Sequence, residues 1–429
     1  MLRRLVIALI AACVVTAAPS SVALLSTGDQ RWELRVNDTP YEIRGVTFSG
    51  TGGPSAYDRD CSDLAAIGVN TIRMWGTGKD TRALLDAAHK HGLRVFLGLW
   101  FRHGQPGAED DDSFDYLTDT AGIAAQHAAI LEAVRSYKDH PALLAWGVGN
   151  EVFLNLPNDE AKLAYARVLE AAGRDIKLLD PHHPLIAVDA FTLGVPWIEK
   201  HCPSIDAHGI NVYGPGINGV AAALAKAGST RPWLVAEYGS RGDWDTRPDA
   251  NGVKLESSDD EKYRVITDAW NTALRPHREA GRCLGLFVFN YSNTTSYTNL
   301  KHGLLLGDSR RPAWHAVREI YLGEKPSPAL PRITGFSVKE TSADGWLTVS
   351  LATLSPDKAP LDVSFAGNIR NTGTRRERDT IHALQSKPGP NAGTWLINPA
   401  GLHGSLKIYA LVKDPRHNVV TATTSAKLP

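Results

Sequence analysis

The sequence predicts an α/β protein: a (β/α)8 TIM barrel followed by a C-terminal all-β sandwich domain. Eight short apolar runs alternate with longer amphipathic stretches, a proline-rich stretch follows, and the remaining segment shows strand patterns without a helical pattern of useful length. The 429 residues are enough for a large barrel and a second domain. Eight strand–helix units within about 280 residues have the number and length typical of such a barrel.

The eight apolar runs have the length of buried parallel strands. In chain order they are IRGVTFS (43–49), VNTIRMW (69–75), LRVFLGLW (93–100), LLAWGVGN (143–150), PLIAVDA (184–190), DAHGINVY (206–213), PWLVAEY (232–238) and CLGLFVFNY (283–291). Helical patterns such as TRALLDAAHKHG lie between them, and several end in Gly or His-Pro. This alternation predicts a parallel sheet covered by helices.

The first residues have the features of an export signal. Two arginines precede the apolar run Leu5–Ala18, and small residues follow it. Ser21-Val22-Ala23 fits a cleavage site, so residues 1–23 are interpreted as a signal peptide, with Ala17 as an alternative site. We therefore expect a secreted or periplasmic protein without a membrane span. The run ending at Cys13 resembles a lipoprotein box, which leaves lipid anchoring as a second option.

The remaining chain divides into three parts. Residues 24–322 hold the barrel, preceded by a hairpin in RWELRVNDTPYEI that we expect to close the bottom of the barrel around a turn at Asn37-Asp38. Residues 323–331 are a proline-rich linker, and residues 332–429 predict an immunoglobulin-like or fibronectin-III-like sandwich. We expect Trp346 and Trp395 to fill the core of this sandwich; the alternative is a sugar-binding module that uses them.

Composition and cysteine content narrow the function classes. The 46 Lys and Arg residues balance 46 Asp and Glu residues, so no overall field favours nucleic acid or an anionic membrane. The 11 Trp residues suit a carbohydrate ligand, since sugar faces stack on apolar rings. The sequence contains no CxxC motif, so it gives no indication of a structural zinc site, and we expect neither metal nor cofactor.

The cysteines give a separate expectation. We expect Cys202 and Cys283 to form a disulfide near the N-terminal rim of the barrel, and Cys61 to stay a thiol.

Two glutamates end apolar runs where barrel enzymes carry their chemistry. Polar residues at the C-terminal ends of barrel strands face the active site. Glu151 directly follows Asn150, the last residue of the fourth run, and Glu237 is the second-to-last residue of the seventh run, after Ala236. Two carboxyl groups that converge across the barrel mouth can cleave a glycosidic bond, one protonating the leaving oxygen and the other attacking the anomeric carbon. An incidental salt bridge or a helix cap is the alternative for each.

Further polar and aromatic residues lie at or near the run ends. Arg73 lies near the end of the second run, and Asn211 and Tyr213 share one face of the sixth. Other candidates for substrate contacts, for which a place in the core is the alternative, are Trp100, His103, His208 and Asn290.

The motifs WGVGNEV, LVAEYGS, GVNTIRMW, GINVYG and GLFVFNYSN, with GLLLGDSRRPAWHAVREI after them, resemble the clan A glycoside hydrolases, whose catalytic glutamates lie on barrel strands 4 and 7. The resemblance covers roughly residues 41–322. Within the clan the motifs are most similar to family 72 β-1,3-glucanosyltransferases and to families 5 and 2. The chain departs from these by lacking the cysteine-rich loops of family 72 and by having Phe289 where a Trp is common.

The resemblance implies a role for each matching residue. Glu151 would be the acid/base and Glu237 the nucleophile. Asn150 would donate to the sugar 2-hydroxyl, a bond that strengthens in the transition state. Arg73 and Tyr213 would orient the nucleophile and keep it ionised while Glu151 stays protonated.

These inferences predict a monomeric retaining hydrolase of a β-linked polysaccharide or oligosaccharide, with a β-glucan favoured as the substrate. A transglycosidase would use the same two glutamates and the same covalent intermediate. A barrel that only binds carbohydrate would need one glutamate to be absent or misplaced. A metal-dependent hydrolase would need a set of His and Asp ligands that the run ends do not supply. The loops at 101–118, 152–160, 239–258 and 292–304 are expected to shape the cleft.

Overall fold

The computed structural model describes residues 18–104, 113–292, 302–341, 345–369, 381–399 and 401–428. Cys13 and most of the predicted signal peptide lie outside these ranges. Two of the expected cleft loops, 101–118 and 292–304, are described only in part. No helix in the described ranges has the length and apolar character needed to cross a membrane.

A small antiparallel sheet closes the N-terminal end of the barrel. Its strands are β1 (Val22–Gly28), β2 (Arg31–Val36) and β3 (Thr39–Pro40), in that order. Between β2 and β3, Asn37 and Asp38 have left-handed φ angles of 48° and 62°, as a tight hairpin turn requires. The predicted hairpin is therefore confirmed. Leu34 of β2 packs with side chains that fill the barrel interior.

The segment from Ser20 onward takes part in this closure. The Ser20 hydroxyl donates to the Leu143 carbonyl at 2.7 Å and lies 3.0 Å from His183 Nε2. Strand β1 crosses the predicted signal-peptide boundary at residue 23. A cleavage near Ala17 would leave the strand whole, whereas a cleavage after residue 23 would divide it.

Eight parallel strands form a closed barrel, which confirms the predicted fold. They are β4 (Ile43–Thr47), β5 (Thr71–Met74), β6 (Arg94–Leu99), β7 (Leu143–Val148), β8 (Leu185–Ala190), β9 (Ala207–Tyr213), β10 (Trp233–Gly239) and β11 (Cys283–Val288). Each lies in one of the eight predicted runs, apart from Gly239 one residue beyond the seventh. Strand β11 pairs with both β10 and β4, and this pairing closes the ring.

Helices surround the barrel. They are α1 (Pro54–Ala66), α2 (Thr81–Lys90), α3 (Thr120–Tyr137), α4 (Asp159–Leu179), α5 (Val195–His201), α6 (Val220–Lys226), α7 (Asp259–Asp268), α8 (Arg275–Glu279) and α9 (Pro312–Leu322). Short 3-10 turns occur at Phe153–Asn155, Gly214–Gly219 and Asp243–Asp245, a π-helical turn at Ala269–Ala273, and a hairpin of β12 (Leu305–Leu306) and β13 (Ser309–Arg310) before α9. Side chains of asparagine, aspartate and serine cap α4, α3 and α7.

The barrel strands separate two apolar cores. Along β6, Val95, Leu97 and Leu99 pack against the helices, whereas Phe96 points into the barrel interior with Leu34. This alternation is the period-two pattern expected for a strand buried on both faces.

The C-terminal domain is all-β, as predicted. Its strands are β14 (Arg332–Thr341), β15 (Leu347–Leu354), β16 (Asp362–Ile369), β17 (His382–Pro388), β18 (Thr394–Asn398), β19 (Gly404–Lys413) and β20 (Val419–Leu428). All strand pairs are antiparallel, in the order β14-β15-β18-β17-β16-β19-β20. The first half of β17 pairs with β16 and its second half with β18, so this strand joins two half-sheets around one apolar core.

The two tryptophans of this domain are half-buried and not enclosed in its core. The Trp395 ring packs 5.7 Å from the ring of Phe365, and Lys387 Nζ lies 4.6 Å from the Trp346 ring centre. Trp346 directly precedes β15 and Trp395 is the second residue of β18, so both are near strand ends, at the edge of the core. The expectation that both rings are buried in the core was therefore not met, although the partly exposed Trp395 packs against the core.

The expected disulfide was also wrong. Cys61, Cys202 and Cys283 are all buried free thiols. The Cys202 thiol donates to the Ala166 carbonyl in α4 at 3.3 Å, and the Cys283 thiol donates to the Gly285 carbonyl at 3.6 Å. Each side chain is thus directed to a different neighbour. Burial raises the pKa of all three thiols to about 12, which disfavours the thiolate form at neutral pH.

Candidate active site

A β-bulge directs Glu237 into the barrel mouth. Leu234 and Ala236 face the barrel interior while Val235 faces the helices, so strict alternation would turn the next side chain outward. Against β9, however, Val235 pairs with Ile210 and Glu237 with Asn211, which leaves one extra residue on β10. A bulge of this kind re-aims the following side chain.

Three donors hold the Glu237 carboxylate. Arg73 Nη1 and Trp75 Nε1 donate to its Oε1 at 2.8 Å and 2.7 Å, and the Tyr213 hydroxyl donates to its Oε2 at 2.7 Å. Burial, together with the negative charges of Glu237 and Glu151, raises the pKa of Tyr213 well above its usual value. The phenol therefore keeps its proton and remains a donor to the carboxylate.

Glu151 lies on a strained turn after β7. Its φ angle is 55°, a left-handed value that is uncommon for a residue with a side chain. The Glu151 N–H donates to the Val188 carbonyl at 3.1 Å, and Asn155 Nδ2 donates to the Glu151 carbonyl at 3.1 Å. These bonds fix the turn so that the partly exposed side chain faces the mouth, where its Oε1 accepts from Asn211 Nδ2 at 3.0 Å.

One hydrogen-bond network joins the two glutamates. Arg73, which binds Glu237, also donates through Nη2 to Asn150 Oδ1 at 2.8 Å. Asn211, which binds Glu151, donates to the same Asn150 oxygen at 3.1 Å. The Asn150 oxygen is thus occupied by two donors, and its amide nitrogen is the group that can donate to a ligand. The structure therefore brings together six predicted residues: Arg73, Asn150, Glu151, Asn211, Tyr213 and Glu237.

His103 supports this network and does not reach the cleft surface. It is fully buried, with Nε2 2.7 Å from the Asn150 carbonyl and Nδ1 3.3 Å from Asn155 Nδ2. Its ring lies beneath the Asn150–Glu151 segment, so the structure gives it a supporting place, and its contact with substrate stays a prediction. Trp100 packs against this ring with centroids 5.1 Å apart and is partly exposed.

Two other predicted substrate contacts are structural. His208 is the second residue of β9, at the opposite end of the strand from the mouth, and its Nε2 lies 2.7 Å from Glu199 Oε1 of α5. Asn290 is near the mouth but accepts from the Ser49 N–H at 3.2 Å and donates to Ser49 Oγ at 2.8 Å, which ties the end of β11 to the end of β4. Both side chains are buried and bound to neighbouring protein groups, and their contact with substrate stays a prediction.

Sequence reasoning missed several aromatic residues. Trp75 ends the second run, and its position at a strand end could have identified it. Trp244, by contrast, lies in a loop without periodicity; it is 52% exposed and its ring is 5.2 Å from that of Tyr213. Phe289 and His302 also pack against the Tyr213 ring. Within the described ranges, no three His, Cys, Asp or Glu side chains are arranged to hold a metal ion.

Comparison with known proteins finds no matching family model. A relative from Aspergillus oryzae, named probable mannan endo-1,4-β-mannosidase F, is 27% identical over 270 residues, covering 49% of this chain and 57% of that protein. A protein of the same name from Aspergillus flavus is 26% identical over 261 residues, covering 47% of this chain and 56% of that protein. The chain thus spans somewhat more than half the length of these curated relatives.

Solved structures resemble almost the whole chain at low identity. An FMN-binding β-glucuronidase from Facaelibacterium prausnitzii has a TM-score of 0.52 at 14% identity, covering 95% of this chain and 58% of that chain. Bacteroides uniformis β-glucuronidase 2, covalently bound to cyclophellitol-6-carboxylate aziridine, has a TM-score of 0.53 at 14% identity, covering 95% and 48%. At this identity the likeness concerns the fold. Together with the closed barrel, the matches support the resemblance to the clan A glycoside hydrolases that the strand-end motifs indicated.

Proposed function

We propose that this protein is a retaining β-glycoside hydrolase in which Glu237 is the nucleophile and Glu151 the acid/base. The observation that carries the proposal is the unequal environment of two glutamates within one network. Glu237 is buried and accepts from Arg73, Trp75 and Tyr213, whereas Glu151 is partly exposed and accepts from Asn211. A pair of carboxyl groups with different environments is what acid and nucleophile roles require.

In the first step, the Glu237 carboxylate attacks the anomeric carbon while Glu151 protonates the departing glycosidic oxygen. In the second step, Glu151 removes a proton from water, which attacks the same carbon and releases Glu237. The Asn150 amide would donate to a sugar hydroxyl in both transition states. Because the Tyr213 phenol stays protonated, it can stabilise the carboxylate that is regenerated in the second step.

We propose a neutral β-linked glycan as the substrate. The Arg73 guanidinium already binds Glu237 and Asn150, so its charge serves these two side chains and not an acidic sugar. Trp244 presents an exposed ring on which a sugar face can stack. The motif resemblance favours a β-glucan, and the names of the curated relatives make β-mannan the main alternative. A transglycosidase remains the second candidate for the reaction itself, because a sugar acceptor would replace water at the same intermediate. We also propose export through the N-terminal signal.

The test is hydrolysis of a substrate panel by the purified protein. The panel holds β-1,3-glucan, β-mannan, xylan and an aryl β-glucuronide, and Glu237→Gln serves as the matched inactive control. NMR of the first product should show the β-anomer, and mass spectrometry should show products longer than the substrate if the protein transfers sugars. Inversion of the anomer, or equal activity of wild type and Glu237→Gln, would refute the assignment.

A further inference from the structure

A buried ion pair fastens the C-terminal domain to the barrel. Arg311, one residue before α9, is 1% exposed, and its Nη2 donates to Asp259 Oδ1 at 2.6 Å and to Thr421 Oγ1 of β20 at 3.1 Å. Asp259 Oδ2 in turn accepts from the Thr421 N–H at 2.6 Å and from its hydroxyl at 3.0 Å. Although burial opposes ionisation, the Arg311 and Lys262 charges hold the pKa of Asp259 below its usual value.

More buried charges continue the same interface. Lys262 Nζ lies 3.5 Å from Asp259 and 3.3 Å from Glu256, and Lys407 of β19 lies 3.2 Å from Glu256. Buried ion pairs are a poor source of stability because desolvation offsets much of the attraction. They are better suited to fixing one orientation, since a misaligned pair leaves a buried charge unpaired. The paired charges of this interface therefore favour one docked orientation of the C-terminal domain over other orientations.

The same arginine reaches the wall of the candidate active site. Arg311 Nη1 donates to the His302 carbonyl at 3.0 Å. The His302 ring packs 5.3 Å from the ring of Tyr213, and its Nδ1 would lie only 2.8 Å from a Cβ added at Gly239. Position 239, two residues after Glu237, thus lacks a side chain where the His302 ring approaches. The ring in this place limits the positions that the Tyr213 phenol can adopt.

We propose that Arg311 is a positioning residue that couples docking of the C-terminal domain to the hydrogen bond between Tyr213 and Glu237. Its planar fork binds three acceptors from three segments: Asp259 of α7, Thr421 of β20 and the His302 carbonyl. A lysine would carry the same charge but could not hold all three in this geometry. The C-terminal domain is then part of the catalytic unit, and this inference rests on the proposed function for its kinetic consequence.

Three variants of the full-length protein test the coupling. Thr421→Val removes the hydroxyl that accepts from Arg311 and retains the β-branched shape, and Arg311→Lys removes the fork. The matched control is His315→Phe. It removes another interdomain hydrogen bond, which joins His315 Nε2 to Asn418 Oδ1 at 2.8 Å, but keeps a ring against Trp314.

Each variant should lower Tm by a few degrees. The first two should also lower kcat roughly 3- to 10-fold with little change in KM, the size expected when one hydrogen bond is weakened in the transition state. His315→Phe should leave kcat unchanged.

Hydrogen exchange supplies a readout that needs no substrate. Peptides containing Tyr213 and Glu237 should exchange faster in Thr421→Val and Arg311→Lys than in wild type and His315→Phe. Equal exchange and equal kcat in all four proteins, or equal loss of kcat in the control, would overturn the coupling. If exchange follows the prediction but the wild type cleaves no glycoside, the positioning stands and the proposed function fails.

Discussion

The two ends of the barrel are made by the same eight strands but have opposite chemistry. At the N-terminal end, Leu34, Val36 and Val22 of the small sheet pack with apolar side chains of the barrel interior. At the C-terminal end, buried Arg73 and Glu237 belong to a continuous polar network. The first end excludes water by apolar packing, whereas the second retains charges in a protein interior, which is costly unless every charge is paired.

This difference separates stability from chemistry along each strand. The mouth also contains a left-handed turn at Glu151 and a bulge before Glu237, both of which depart from regular strand geometry. Strained backbone persists where surrounding contacts determine it, and such sites cluster where function needs a side chain in a fixed place. Substitutions at the mouth should therefore change activity more than stability, and substitutions at the closed end should do the reverse.

The largest effect is expected for Glu237→Ala. Without the nucleophile no glycosyl-enzyme forms, so turnover should be lost while the apolar closure at the other end is untouched. Azide should occupy the vacated space, restore cleavage of an activated aryl glycoside and give a glycosyl azide of inverted configuration, measurable by NMR. Rescue by azide in Glu151→Ala with an inverted product, and not in Glu237→Ala, would mean that the two roles are exchanged.

Glu151→Ala should lower kcat by about 10²- to 10⁴-fold on substrates with poor leaving groups, the range typical of a lost general acid. On a dinitrophenyl glycoside the first step needs no proton, so formation of the glycosyl-enzyme should proceed at near wild-type rate. Stopped-flow measurement of the dinitrophenolate burst checks this expectation. An equal loss on both kinds of leaving group would argue against an acid role.

A smaller effect is expected for Tyr213→Phe. The variant keeps the ring contacts with Phe289 and His302 but removes the donor to Glu237 Oε2. A hydrogen bond to a charged group contributes about 1.5–3 kcal/mol, so kcat/KM should fall roughly 10- to 150-fold. Tm should stay within a few degrees of wild type. A stability loss without a loss of kcat/KM would place Tyr213 among the structural residues.

The sequence predicted the fold and the position of the two glutamates at the barrel mouth because both depend on local patterns. Apolar runs of strand length located all eight barrel strands, and a carboxylate at a run end has few structural uses. It did not separate His103 and His208 from residues in the cleft, because burial depends on what packs over a side chain from distant segments. Nor did it indicate Trp244, since its loop has no periodicity and its place beside Tyr213 arises only in the folded chain.

The closed end provides the converse prediction, in which stability changes and chemistry does not. Leu34 is 4% exposed and belongs to the core that fills the barrel interior. Leu34→Ala should lower the free energy of unfolding by about 2–5 kcal/mol, through lost apolar contact and a cavity. Because Leu34 is at the opposite end from Glu151 and Glu237, kcat of the folded enzyme should remain at the wild-type value.

Leu25→Ala in the neighbouring strand is the matched control. Leu25 is 44% exposed, so its truncation should change the free energy of unfolding by less than about 0.5 kcal/mol. Urea unfolding and initial rates measured on the same preparations check both expectations. A loss of kcat in Leu34→Ala as large as that in Tyr213→Phe would show that the two ends are coupled, and would contradict the separation of stability from chemistry along the strands.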